Sequence, residues 1–217
     1  SLFPIKRALH NFIFNIFNFQ KLKKDNFEEI SFAGYSLGEI SSLVCSESIS
    51  FQEGLYLVYK IAKSIFKISK ILNYKSIVIL GLNKEELQNI IDQTYHLLWI
   101  SSFIEEKKMM VSGMKKAIEI LIYEISKKNK NYFFISNLEN NTPMMLQEKK
   151  YLSEKIEKIN FLDSKYFVYQ NFDGKREKKN IYLKNKLKKI ITNPINWHQT
   201  ILNIKKNNDN IFNLSYI

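Results

Sequence analysis

Phe32-Ala33-Gly34-Tyr35-Ser36-Leu37-Gly38-Glu39 decides how this chain is read. The stretch is Gly-x-Ser-x-Gly, placed straight after a short apolar run and straight before a helical pattern. Strand, sharp turn, then helix is the setting of a nucleophile elbow, with a serine at the apex of the turn. Gly34 and Gly38 suit such a turn, because a Cβ at either place would crowd the neighbouring backbone. The spacing makes Ser36 the candidate nucleophile, its hydroxyl projecting from the end of a sheet. It makes the N–H of Leu37, at a helix N-terminus, the candidate oxyanion donor.

Working outward, residues 29–33 read as the strand feeding the turn, and helices are expected at 37–46 and 50–69. In the second helix Phe51, Leu55, Val58, Ala62 and Ile65 fall on one face. Residues 4–22 read as a buried helix with Pro4 near its start; Asn11, Asn15 and Asn18 make its apolar part too polar and too short for a bilayer. Further on, a strand at 74–80 precedes a helix running to about Asp92, opened by a capping-box pattern, Asn83 with Glu86. Strands at 97–103 and 108–112, a helix at 114–127 and a strand at 132–136 complete the order βαββαβ, which is ferredoxin-like. A strand at 166–170, a turn at 172–175 and a helix at 183–191, broken by Thr192-Asn193-Pro194, follow. Residues 127–131 and 176–180 are charged and read as solvated loop.

A chain of 217 residues, 45% hydrophobic and 14% aromatic, can bury a sizeable core and is not a disordered one. Its net charge of +12 would ordinarily point to nucleic acid or an anionic membrane. The lysines are scattered rather than gathered in a stripe, so they read as a solvated surface, with neither nucleic acid nor membrane expected as partner. Only Arg7 and Arg176 are arginines. Cys45 is the sole cysteine, which rules out a disulfide within the chain and reads as a small buried hydrophobe. No metal-ligand cluster, phosphate-cradling glycine loop or dinucleotide fingerprint is visible, and no cofactor is expected.

The elbow match extends beyond five residues. Glu39 follows the second glycine, then Ile40-Ser41-Ser42-Leu43-Val44-Cys45, then the amphipathic run from Phe51. The segment resembles the malonyl-CoA:acyl-carrier-protein transacylase family, which includes the acyltransferase domains of polyketide and fatty-acid synthases. Weaker likenesses continue at Gly81-Leu82, Val111-Ser112-Gly113 and Asn193-Pro194-Ile195-Asn196-Trp197. The resemblance implies an α/β fold: an α/β-hydrolase-like core, here residues 1–73 and 138–217, with an inserted ferredoxin-like small subdomain, residues 74–137. It implies acyl transfer in fatty-acid synthesis, in which malonyl-CoA or another acyl-CoA acylates the serine and the thiol of an acyl carrier protein then takes the acyl group.

Residue by residue, the resemblance carries over unevenly. Ser36 matches the nucleophile and Leu37 one oxyanion donor. Tyr35 stands where the family has a histidine lining the acyl pocket; it keeps a planar ring with a polar tip but has a different reach. The family's catalytic histidine corresponds to Asn141, in Asn141-Thr142-Pro143-Met144-Met145. An amide takes up no proton at neutral pH, so Asn141 can hydrogen-bond but cannot act as a base. Ile61 occupies the position of the arginine that clamps the malonyl carboxylate; Lys60 is about 100° away round the helix, and neither arginine of this chain aligns there. The family's N-terminal glutamine segment is not in the chain, which reads as beginning after it, and its second glutamine aligns with Ile190. Of the histidines, His10, His96 and His198, only His198 suggests itself as a substitute base. Two readings stand: a diverged transacylase, or a non-catalytic descendant keeping the fold and carrier-protein binding. A serine hydrolase on a related fold is a third.

Overall fold

The computed structural model describes residues 3–22, 30–71, 73–93, 97–134 and 142–214. Helix α1 (Phe3–Leu22) leads to strand β1 (Ser31–Ala33), the elbow, and helices α2 (Gly38–Cys45) and α3 (Phe51–Ile71). Strand β2 (Tyr74–Leu80), helix α4 (Lys84–Asp92), strands β3 (Leu98–Glu105) and β4 (Lys108–Met114), helix α5 (Lys115–Lys127) and strand β5 (Asn131–Phe134) follow. After them come α6 (Leu146–Glu157), β6 (Phe167–Tyr169), β7 (Arg176–Glu177), α7 (Asn180–Lys189), β8 (Ile195–Asn196), α8 (Trp197–Asn207) and β9 (Ile211–Asn213).

Two sheets divide these strands. The first runs β7-β6-β1-β9, with β1 central and parallel to both β6 and β9. Parallel neighbours need helical crossovers, and α1, α2 and α3 pack about this sheet in one core with Phe12, Phe32, Leu43, Leu57 and Val168. The second sheet runs β5-β2-β4-β3-β8. Its first four strands and the helices α4 and α5 form the ferredoxin-like βαββαβ arrangement, so the chain has an α/β-hydrolase-like core with a ferredoxin-like subdomain.

Alternation along the second sheet decides which core each residue joins. Ile77, Ile79, Met109 and Val111 face α4 and α5, whereas Val78 and Met110 reach the main core. Burial on both faces explains the continuous apolar run Ile77–Leu80. The capping box at Asn83 and Glu86 is present, and Ser50 with Glu53 opens α3 by the same reciprocal bonding.

Several elements depart from the sequence expectation. Residues 176–180, read as solvated loop, supply β7 and the start of α7, because Arg176 is drawn into an ion pair with Asp209. The helix expected at 183–191 begins at Asn180, after Asp163 accepts its N–H. Helix α6 has no counterpart in the sequence reading; Leu152 and Ile156 are its only fully buried apolar side chains, too few for a clear period. Strand β8 adds a fifth, parallel strand to the small sheet, pairing Ser102 with Ile195 and Phe103 with Asn196. The Asn-Pro-Ile-Asn-Trp stretch thus bridges the two sheets and delivers Trp197 to the main core.

Candidate active site

The elbow forms as its sequence demands. β1 ends at Ala33, the chain turns through Gly34–Leu37, and α2 starts at Gly38. A Cβ on Gly34 would lie 2.1 Å from the Gly38 carbonyl oxygen, so only glycine fits there. Ser36 takes the left-handed conformation, φ 55°, which a non-glycine residue adopts only under constraint.

That constraint comes from the end of the neighbouring strand. Asn171, two residues beyond the end of β6, is buried; its Oδ1 accepts the Ser36 N–H at 2.8 Å and its Nδ2 donates to the Gly34 carbonyl at 2.7 Å. Asn171 is held in turn by Glu39, whose Oε2 accepts the Asn171 backbone N–H at 2.7 Å, while Gln170 Nε2 donates to Glu39 Oε1. Burial pushes the Glu39 carboxyl up to about 7, against the hydrogen bonds from Asn171 and Gln170 that pull it down. Gln170 Oε1 is buried with no hydrogen-bond partner among the described residues. No local sequence pattern singles out Asn171. The signal was available in principle, since ligands of parallel sheets gather at the carboxyl ends of adjacent strands, and Gln170-Asn171 follows the strand beside β1.

A cavity of about 120 Å³ opens against the turn. Tyr35, Ser36 and Leu37 line it together, so the structure gathers three of the five sequence-predicted site residues at one place. The Tyr35 side chain is buried, edge-on to Trp197 with ring centroids 5.7 Å apart. The Leu37 N–H has no acceptor among the described residues, whereas the next three N–H groups bond back to Tyr35, Ser36 and Leu37. Ile61 is half-buried against the main core; Ala62 and Ile65 of the same helix line the cavity. Asn141 lies outside the described residues, as do His96 and the C-terminal Ser215-Tyr216-Ile217.

The remaining candidates sit elsewhere. Lys60 stacks its ammonium on Tyr56 and Tyr59, on the outer side of α3. His198 lines a separate groove with Asn83, Phe103 and Glu105, so it does not share the Ser36 cavity. His10 is exposed on α1. Arg176 is committed to Asp209, which also accepts from Tyr169 and Ser31. Arg7, by contrast, lines the Ser36 cavity, which alignment to the resembling family gave no reason to expect. Among the described residues no group of three or more metal-ligating side chains occurs, and no helix is long and apolar enough to cross a membrane.

Known proteins share this fold. No protein-family model matches the chain. The malonyl CoA-acyl carrier protein transacylase of Buchnera aphidicola subsp. Schizaphis graminum is 32% identical over 180 residues, 80% of this chain and 57% of the relative. That of Haemophilus influenzae is 25% identical over 174 residues, 78% of this chain and 55% of the relative. The chain therefore spans little more than half the length of these curated relatives. Among solved structures, the Coxiella burnetii malonyl CoA-acyl carrier protein transacylase superposes with a TM-score of 0.83 at 21% identity, covering 93% of this chain and 64% of that one. A type II polyketide malonyl-transacylase, solved with its acyl-carrier protein, superposes with a TM-score of 0.84 at 21% identity, covering 95% and 68%. The solved structures carry the same fold, and over the part of their length that it spans the chain is similar in sequence to members of the malonyl-CoA:acyl-carrier-protein transacylase family.

Proposed function

We propose that this chain carries the nucleophile half of a malonyl-CoA:acyl-carrier-protein transacylase, acting through an acyl-enzyme at Ser36. One observation carries the reading: Ser36 is held at φ 55° on the wall of a cavity, beside a Leu37 N–H that no described residue accepts. The Ser36 hydroxyl oxygen would attack the thioester carbonyl of malonyl-CoA or another acyl-CoA. An oxyanion would form against the Leu37 N–H, the carbon–sulfur bond would break, and coenzyme A would leave as the thiol, taking up the serine proton. The thiol of an acyl carrier protein would then attack the ester and regenerate the serine. Tyr35 would form part of the acyl pocket wall, with α3 behind it at Ile61, Ala62 and Ile65. The division into a core of residues 1–73 and 138–217 and a small subdomain of residues 74–137 is proposed with it.

A second reading has its own observation. No histidine among the described residues lines the cavity, since His10 is exposed and His198 faces another groove. Losing the base of a serine triad costs about 10⁶ in kcat. This favours slow chemistry or a non-catalytic descendant that keeps the fold and carrier-protein binding. Intact-mass measurement after incubation with malonyl-CoA separates the two. A malonyl adduct that accumulates on Ser36 and is absent in Ser36→Ala supports transfer; no adduct after hours supports the non-catalytic reading.

A further inference from the structure

The cavity at the elbow contains a charge that the elbow chemistry does not use. On α1, Pro4, Arg7, Ala8, Asn11 and Asn15 line it at spacings of three and four, so one helical stripe faces the serine. Arg7 is the single charged residue of the described lining, and no acidic side chain shares it. The guanidinium is half-buried and has no ion pair or hydrogen bond among the described residues; it lies over the Phe3 ring, 5.8 Å from Cζ to centroid. A half-desolvated guanidinium without a counter-ion is costly to keep, and an entering anion removes that cost. Asn15, two turns further along the same stripe, is already spent, donating to Ser41 and to the Leu214 carbonyl.

From this geometry we infer that Arg7 is the acyl-group selector: it binds the free carboxylate of a short dicarboxylic acyl chain whose thioester carbonyl lies at Ser36. The inference rests on the proposed acyl-CoA reading of the site. It moves the carboxylate contact from α3, where Ile61 stands, to α1. Because coenzyme A carries phosphates of its own, the comparison that isolates the acyl carboxylate is malonyl-CoA against acetyl-CoA, which differ in that group alone.

Binding, rather than turnover, is the readout, since it needs no working base. By calorimetric titration the chain should bind malonyl-CoA roughly ten- to a hundredfold more tightly than acetyl-CoA, the range of a charge-assisted hydrogen-bonded pair. Arg7→Gln should abolish that preference. Arg7→Lys should keep a reduced one, since lysine retains the charge without the two-pronged fork. Lys6→Gln, which removes an exposed charge one residue away and outside the cavity, should keep the full preference. Equal binding of the two esters by the unmodified chain would overturn the assignment while leaving the acyl-CoA reading standing. So would an Arg7→Gln variant with the preference intact. No binding of either ester would overturn both.

Discussion

Replacing Asn171 by alanine should loosen the turn that holds Ser36, and the size of the effect follows from two hydrogen bonds. The Asn171 side chain accepts the Ser36 N–H at 2.8 Å and donates to the Gly34 carbonyl at 2.7 Å, in a position only 1% exposed. Truncation leaves a donor and an acceptor unpaired. Each costs about 1–3 kcal/mol when buried, and the half-exposed side of the turn lets water recover part of it. A net loss of about 3 kcal/mol is expected, which for a chain of this size lowers Tm by roughly 6–12 °C. Release of the left-handed Ser36 conformation, which costs about 1–2 kcal/mol to hold, offsets part of the cost of the two unpaired groups once the brace is gone. Urea denaturation gives the total, and native-state hydrogen exchange at the Ser36 amide gives the local share. A Tm within 2 °C of the parent, with Ser36 protection unchanged, would refute the claim that Asn171 braces the elbow.

Other substitutions probe the same scaffold. Gly34→Ala should prevent the tight turn, since its Cβ would meet the Gly38 carbonyl oxygen at 2.1 Å; loss of at least about 3 kcal/mol, or failure to fold, should appear in the urea midpoint. Glu39 holds its proton more tightly folded than unfolded, so its contribution is complete below the ordinary carboxylate range and fades as pH rises through about 7. Stability should therefore fall by about 3 kcal/mol between pH 5 and pH 8, and Glu39→Gln should flatten that slope in melts across the range. Asp209 behaves oppositely: burial pushes its carboxyl up, but hydrogen bonds from Tyr169 and Arg176 outweigh it and hold it below the ordinary value. Its contribution is present at neutral pH and lost as the solution is acidified below the carboxylate range, and Asp209→Asn should remove that acid dependence.

Much of this architecture is legible in the sequence because its signals are local. The elbow glycines, the Asn83–Glu86 box and the periodicity of α3 each depend on residues a few positions apart. The first four strands of the small sheet are legible for the same reason, as they and their two helices lie in one unbroken segment. What escapes is non-local. Arg176 looks like loop until Asp209, in the turn before β9, supplies its partner. Strand β8 has two residues and no propensity of its own; it exists because β3 offers a free edge. Asn171 and Arg7 matter through what faces them, a turn 135 residues away in one case and a cavity wall in the other.

The conformation of Ser36 bears on why the motif is there. If the elbow served shape alone, glycine at position 36 would adopt φ 55° without steric penalty, and the Asn171 bond would still be made through the backbone N–H. Serine is the less stable choice by about 1 kcal/mol. Stability therefore gives no reason for a hydroxyl at this apex, whereas a hydroxyl on the wall of a cavity that also presents Arg7 and the Leu37 N–H has a chemical use. The comparison is direct: Ser36→Gly should raise the urea midpoint and Ser36→Ala should not, since alanine keeps the Cβ penalty at positive φ. If both variants were less stable than the parent, the serine hydroxyl would be holding the turn together, and its presence would need no catalytic explanation.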